Sequence, residues 1–203
     1  MSFPKVLFAQ LEPHSRRERA VLISSAAIAL FFLLLDQGTK LWVEHAFRLH
    51  ENHVLIDGLL SLTYVRNTGA AWSMLRGQIW LLLVIAVLAF GAILYFFNHL
   101  AERYPERYFA IFLVLSGILG NSIDRLWRNA VVDFIHVHYC EVWDYPVFNV
   151  ADIAICIGVG VFVLSSFLRP DKKRGEKKSG RPLFPWFFRS KKTRDASSKN
   201  ENR

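Results

Sequence analysis

Four long runs without a charged residue constrain this chain more than any other feature. Residues 77–101 give twenty-five uncharged positions in succession, and roughly 20 apolar residues in a helix cross the hydrocarbon core of a bilayer. Residues 20–35, 108–123 and 153–168 give sixteen each. Runs of this length, in a sequence that is 53% apolar, indicate a helical membrane protein and argue against a water-soluble globule. The first run continues past Asp36-Gln37-Gly38-Thr39-Lys40 into Leu41-Trp42-Val43. Residues 20–43 therefore read as a retained first span, without the small-residue cleavage pattern of a signal peptide. The third and fourth runs reach twenty residues only as 108–127 and 149–168. Each extension takes a polar motif into the membrane margin.

The expected fold is an all-α polytopic membrane protein of four transmembrane helices. Between the spans, residues 60–65 and 131–139 look strand-like, and residues 67–69 carry a turn signal. Three segments follow: an N-terminal stretch 1–19, a four-span domain 20–168 and a tail 169–203. The tail holds thirteen Lys/Arg against four Asp/Glu, a surplus larger than the formal net charge of +8 for the whole chain. It reads as a disordered cytoplasmic extension beside anionic lipid, not as a nucleic-acid-binding module. Its apolar insert at 182–188 is too short to span and suits the membrane surface. With four spans both termini lie on one side. Nineteen Lys/Arg fall in segments on that side and five in the loops on the other. The positive-inside rule makes the terminal side cytoplasmic.

In Gly120-Asn121-Ser122-Ile123-Asp124-Arg125 and in Phe148-Asn149-Val150-Ala151-Asp152 an Asn precedes an Asp by three residues, so each pair shares a helix face. A carboxyl group at the membrane margin is costly and marks a functional site. Asp124 and Asp152 are thus a candidate catalytic pair: two close carboxyls share a proton, one activating water while the other protonates the leaving group. Asn121 and Asn149 suit orienting the carboxyls or binding a substrate carbonyl. Arg125 suits neutralising charge, holding a loop carbonyl or meeting a phosphate. Asp36, Lys40, Asp133 and Asn67 read as structural or substrate-orienting, and small residues about Gly69 allow close backbone approach. His136 and His138 lack a third nearby ligand for a metal. Cys156 reads as a small packed hydrophobe. A proton-relaying transporter would need carboxylates along the inner ends of the spans, and there are none.

Asp36-Gln37-Gly38-Thr39-Lys40, Asn67-Thr68-Gly69-Ala70-Ala71, the stretch Gly117 to Arg125, Val131-Val132-Asp133-Phe134-Ile135 and Phe148 to Asp152 resemble, in order and placement, the five blocks of the bacterial lipoprotein signal peptidase family (signal peptidase II). The resemblance implies an aspartic endopeptidase of the inner membrane, with its site near the periplasmic face. It would cut diacylglyceryl-modified prolipoproteins just before the lipid-modified Cys and be inhibited by globomycin-type cyclic peptides. It implies a small extracytoplasmic β-sheet and a periplasmic loop or helix over the site, no metal or other cofactor, no nucleic-acid partner and a monomer embedded in lipid. Carried over by motif, Asp124 and Asp152 are the catalytic pair. Asn67, Gly69, Asn121, Arg125, Asp133 and Asn149 line the site, and Asp36 and Lys40 support it. Trp72 stands where the family usually has Phe.

Overall fold

The computed structural model describes residues 15–70, 72, 74–102, 104–139 and 142–169. The expectations for residues 1–14, for the basic tail from 170 onward and for the insert at 182–188 lie outside the described residues.

Helix α1 spans Arg16–Ala46 and starts where the Ser15 side chain accepts the Glu18 N–H at 3.1 Å, satisfying a donor that the first turn leaves free. It runs unbroken through Asp36 to Lys40, because those polar side chains find partners inside the bundle. Strands β1, Asn52–Ile56, and β2, Leu60–Asn67, form a hairpin whose turn uses Gly58 at φ +67, a left-handed conformation that glycine adopts without strain. The long run 77–101 is not one helix. It forms α2, Ile79–Tyr95, and α3, Phe97–Ala101, separated at Phe96 where φ is −93° and ψ 9°. Helix α4, Pro105–Arg128, opens on a proline, whose missing N–H costs nothing in the first turn, and closes at Asn129 in the left-handed region. Strand β3 is Val131–Tyr139, matching its sequence reading; β4 is Trp143–Asp144; α5 is Val150–Leu168. Asn149 and Asp152 close a capping box at the start of α5. Among the described residues α1, α4 and α5 are long and apolar enough to cross a membrane, while α2 has 17 residues.

The four strands make one antiparallel ladder in the order β1-β2-β3-β4. Val43 of α1, Tyr64 of β2, Val132 and Phe134 of β3 and Val150 of α5 form one apolar cluster, which fixes the sheet against the ends of α1 and α5. A second cluster packs Phe97 and Ala101 of α3 on Tyr108, Ile111 and Leu115 of α4. At that far end Arg107 is buried, bonding Ser165 of α5 at 3.2 Å and Glu102 at 2.6 Å. Cys156 is exposed on α5 and not packed in the core as the sequence suggested.

Glycines let α4 and α5 approach closely, as small residues do between membrane helices. A Cβ on Gly117 would fall 2.4 Å from the Ala151 carbonyl oxygen, and one on Gly158 would fall 2.7 Å from that of Ala110. Gly91 in α2 and Gly160 in α5 meet nothing within 4 Å. Thermal unfolding in detergent should separate these cases. Gly117→Ala should destabilise by about 1–3 kcal/mol through overpacking, whereas Gly160→Ala should be neutral or stabilising by about 0.5–1 kcal/mol.

Candidate active site

The site is built around a buried lysine. Lys40 lies one turn after Asp36 on α1, and its side chain is fully excluded from solvent. Its ammonium sits 2.9 Å from Asp36 Oδ2, 2.9 Å from Asp124 Oδ2 and 3.1 Å from Asn121 Oδ1. Three acceptors meet the three donors of an ammonium, so the buried charge is both paired and hydrogen-bonded. Asp36 Oδ1 reaches across to the Ala151 N–H at 2.8 Å, tying α1 to the start of α5. Gly120 explains how α4 fits beneath: a Cβ there would lie 2.5 Å from Asp36 Oδ2.

Asp124 is saturated. Its Oδ1 accepts from Arg128 Nη1 at 2.8 Å and from Gln37 Nε2 at 3.2 Å. Its Oδ2 accepts the Val132 N–H at 3.1 Å and faces Lys40. A carboxylate offers about four lone-pair sites, and all are occupied here on a side chain with no solvent exposure. Two cations and a backbone amide hold it at the junction of α1, α4 and β3. Among the described residues, Asp124 and Asp152 share no direct hydrogen bond; they are linked through Lys40 and Asn121, and both charges act on Arg125.

Asp152 meets Asp133 through a shared partner instead. Asn149, fully buried, donates from Nδ2 to Asp133 Oδ1 at 2.6 Å and from its backbone N–H to Asp152 Oδ2 at 3.2 Å. The other oxygen of each carboxyl has one further donor. Asn67 Nδ2 reaches Asp133 Oδ2 at 3.0 Å, and Asn121 Nδ2 reaches Asp152 Oδ1 at 2.8 Å. Among the described residues, each carboxyl thus has about half its accepting capacity taken up. Asp133 is nearly buried while Asp152 is partly open. Burial first, then the negative charge of Asp152, raises the Asp133 carboxyl from 3.8 to about 7, against the hydrogen bonds from Asn67 and Asn149.

The asparagines are oriented by what surrounds them. Lys40 and Asn149 Nδ2 both donate to Asn121 Oδ1, which turns the Asn121 amide N–H₂ toward Asp152. Asn67 Oδ1 accepts the Gly69 N–H at 2.9 Å, closing the turn expected there. Arg125 Nη2 donates to the Gly69 carbonyl at 3.0 Å and Nη1 to the Asn121 carbonyl at 3.3 Å, while its buried Nε has no partner among the described residues. Of the roles open to Arg125 in the sequence, two are seen: it holds the Gly69 loop carbonyl, and its charge faces those of Asp133, Asp152 and Asp124.

Two members of the network went unread in the sequence. Gln37 donates to Asp36, to the Gly120 carbonyl and to Asp124, and Arg128 joins Asp124 to Glu44. The i,i+4 spacing of Asp124 and Arg128 was the available signal. For Asp133 the signal was a lone acid inside an apolar strand. His136 bonds Asp144 at 2.5 Å, and no group of three or more His, Cys, Asp or Glu side chains is arranged to hold a metal among the described residues.

Comparison with known proteins adds a family. Residues 28–168 match the family model described as signal peptidase (SPase) II, peptidase A8. The lipoprotein signal peptidase of Halalkalibacterium halodurans is 40% identical over 154 residues, covering 75% of this chain and 96% of that protein. That of Nitratidesulfovibrio vulgaris is 41% identical over 155 residues, covering 74% and 93%. Among solved structures, a bacterial membrane enzyme determined in meso at 2.3 Å superposes with a TM-score of 0.66 at 31% identity, covering 78% of this chain and 94% of that one. A second, at 1.9 Å, gives 0.63 at 33%, covering 73% and 94%.

The ion network makes Lys40 the residue whose loss leaves most charge uncompensated. Lys40→Met keeps the aliphatic stem but strands the Asp36 carboxylate and removes one cation from Asp124. Breaking a buried pair from one side costs about 3–5 kcal/mol. The variant should therefore show a large drop in detergent Tm, and Lys40→Arg, which keeps the charge but not the compact geometry, a smaller one.

Proposed function

We propose that this chain, which belongs to the signal peptidase II family, is a membrane aspartic endopeptidase that removes signal peptides from diacylglyceryl-modified prolipoproteins, cutting just before the lipid-modified Cys. The observation that carries the reading is a pair of half-satisfied carboxyls, Asp133 and Asp152, bridged by Asn149 where the helix ends meet the sheet. The catalytic partner of Asp152 in this reading is Asp133, not Asp124. Asp124 has no lone pair left for water or substrate and serves to hold Lys40, Arg128 and the start of β3 in place.

Asp133, with its carboxyl at about 7, is the acid, and Asp152 is the base. A water between them gives a proton to Asp152 as its oxygen attacks the scissile carbonyl carbon. Asp133 gives its proton to the carbonyl oxygen, producing a tetrahedral diol. The diol then collapses: Asp152 passes its proton to the amide nitrogen, the C–N bond breaks, and a diol hydroxyl returns a proton to Asp133. No covalent enzyme intermediate forms. Asn67 and Asn121 hold the two carboxyls from outside, and Arg125, through the Gly69 carbonyl, fixes the loop beside them.

Four crossings, with α2 and α3 together making the second, put both termini in the cytoplasm and the site at the outer face of the bacterial inner membrane. The excess of Lys and Arg in the terminal and linking segments supports this orientation. A diacylglyceryl substrate can keep its acyl chains in the bilayer while the scissile bond reaches the carboxyls, so lipid burial supplies binding and register. Globomycin-type peptides would compete for the same site, and the enzyme acts as a monomer without a cofactor.

Cleavage of a diacylglyceryl prolipoprotein in detergent tests the pair. Asp133→Asn and Asp152→Asn should each lose activity by on the order of 10³-fold or more while keeping substrate binding and a near wild-type Tm. Asp124→Asn should lose activity only in step with a lowered Tm. Because Asp133 must hold a proton to act as the acid, wild-type activity should fall as pH rises through about 7. Near wild-type cleavage by Asp133→Asn would contradict the assignment.

A further inference from the structure

Arg128 ends α4 and takes no part in the proposed hydrolysis, yet its surroundings are as elaborate as those of Lys40. Its side chain is 10% exposed. Nε stands 2.7 Å from Glu44 Oε2 near the end of α1, and Nη1 donates to Asp124 Oδ1 at 2.8 Å. Gln37 closes the ring, accepting from Arg128 Nη1 at 3.3 Å and donating to Asp124 Oδ1 at 3.2 Å. The Arg128 carbonyl accepts from Arg66 Nη2 of β2 at 3.0 Å, a cation on the last turn of a helix. Arg128 therefore touches α1, α4 and β2 at once.

One carboxylate clips both ends of the turn that follows. Asp124 Oδ1 holds the Arg128 guanidinium, and Asp124 Oδ2 accepts the Val132 N–H at 3.1 Å. Between those points Asn129 takes φ +56, a left-handed conformation that asparagine tolerates, and Ala130 and Val131 are buried. Asp133 is the residue after Val132. A shift of Arg128 therefore reaches Asp133 across a short, packed turn with little slack. The sheet alone does not fix that end of β3, because the β2–β3 register is irregular between Leu62 and Val65, and Val65 is the partner of Asp133. Asn67 and Asn149 hold the Asp133 carboxyl and leave the placing of its backbone to the turn.

We propose that Arg128 is a positioning residue for the acid Asp133: by bridging Glu44 and Asp124 it sets where β3 begins, and so where the Asp133 carboxyl stands relative to Asp152. The proposal rests on the reading of Asp133 and Asp152 as the reacting pair. Lys40 is the other cation on Asp124, and it ties that carboxylate back to Asp36 inside the bundle. Arg128 ties the same carboxylate forward to the turn. Its planar fork joins two acids at a fixed angle, which a compact ammonium cannot do. The nearly buried setting, with Asp124 fully excluded from solvent and Glu44 at 21%, makes the loss of the guanidinium felt in a way that an exposed ion pair would not be.

The test is cleavage of a diacylglyceryl prolipoprotein by the full chain in detergent, with Arg128→Met, Arg128→Lys, Glu44→Gln and Asp133→Asn beside the wild type. In Arg128→Met kcat should fall by on the order of 10- to 100-fold, the effect of misplacing a reacting group by about 1 Å, while KM stays within about twofold. Lysine supplies the charge without the fork, so Arg128→Lys should recover part of the loss. The alkaline limb of the pH profile should move to lower pH in Arg128→Met, because burial is the largest cause of the raised Asp133 carboxyl and a loosened turn admits water. The charges acting on that carboxyl are those of Asp152 and Lys40, so removing Arg128 brings no opposing rise. Glu44→Gln leaves the Asp124 contact in place and should show the same changes at smaller size. If Arg128→Met does not fold, Glu44→Gln decides: an unchanged kcat and limb there would overturn the proposal. A wild-type kcat in a folded Arg128→Met would overturn it too, as would a loss of kcat that follows the unfolded fraction with the limb unmoved. Cleavage by Asp133→Asn removes the catalytic reading instead, whereas an inactive Asp133→Asn beside a fully active Arg128→Met removes only the positioning role.

Discussion

The buried ammonium of Lys40 is the interaction on which the rest of the structure depends. It stands between Asp36 of the same helix and Asp124 and Asn121 of the next, with no solvent to share the work. An isolated charge there would be prohibitively costly, so each partner is needed where it is. Asp36 then reaches the first turn of α5, and Asp124 reaches the first residues of β3. One cation thereby sets the relative positions of α1, α4, α5 and the sheet, and those are the elements that carry Asn67, Asp133, Asn149 and Asp152.

The same accounting of donors and acceptors separates the acids by role. Asp124 has its four accepting positions filled by lysine, arginine, glutamine and a backbone amide, and Asp36 has three taken by lysine, glutamine and a backbone amide. Among the described residues, Asp133 and Asp152 receive asparagine amides and one backbone N–H, which steady them without exhausting them. A neutral amide orients a carboxyl without pairing its charge. Burial and the neighbouring carboxylate can therefore raise Asp133 to about 7, which a direct lysine partner would oppose. The lysine fixes which way the Asn121 amide faces, and its charge also acts on Asp133, lowering its carboxyl against burial and Asp152.

Much of this was legible in the sequence. The spans were readable because three apolar runs became α1, α4 and α5 within a few residues of their expected limits. β3 was readable because Val131 to Tyr139 is rich in residues that favour a pleated strand. The break at Phe96 was not, since a run of uncharged residues carries no mark of where a helix turns aside. The pairing of Asp124 with Asp152 came from helix-face spacing and from the motif resemblance. Spacing shows which side chains share a helix face, but not which cations fill them from other helices. Asp133 was read as structural or substrate-orienting because it lies on a strand outside the spans, where an acid looks inexpensive. Its burial follows from the sheet's packing on Val43 and Val150, a tertiary fact.

The most direct test is an infrared titration of the carboxyl C=O stretch in the purified protein. The account predicts one carboxylic acid that ionises near pH 7, in line with the raised Asp133. That signal should vanish in Asp133→Asn and shift to lower pH in Asp152→Asn, where the neighbouring negative charge is gone. It should persist in Asp124→Asn measured under conditions where the variant stays folded. A titrating carboxyl that disappears with Asp124 and survives the loss of Asp133 would contradict the account and return the chemistry to the pair on the two helix motifs.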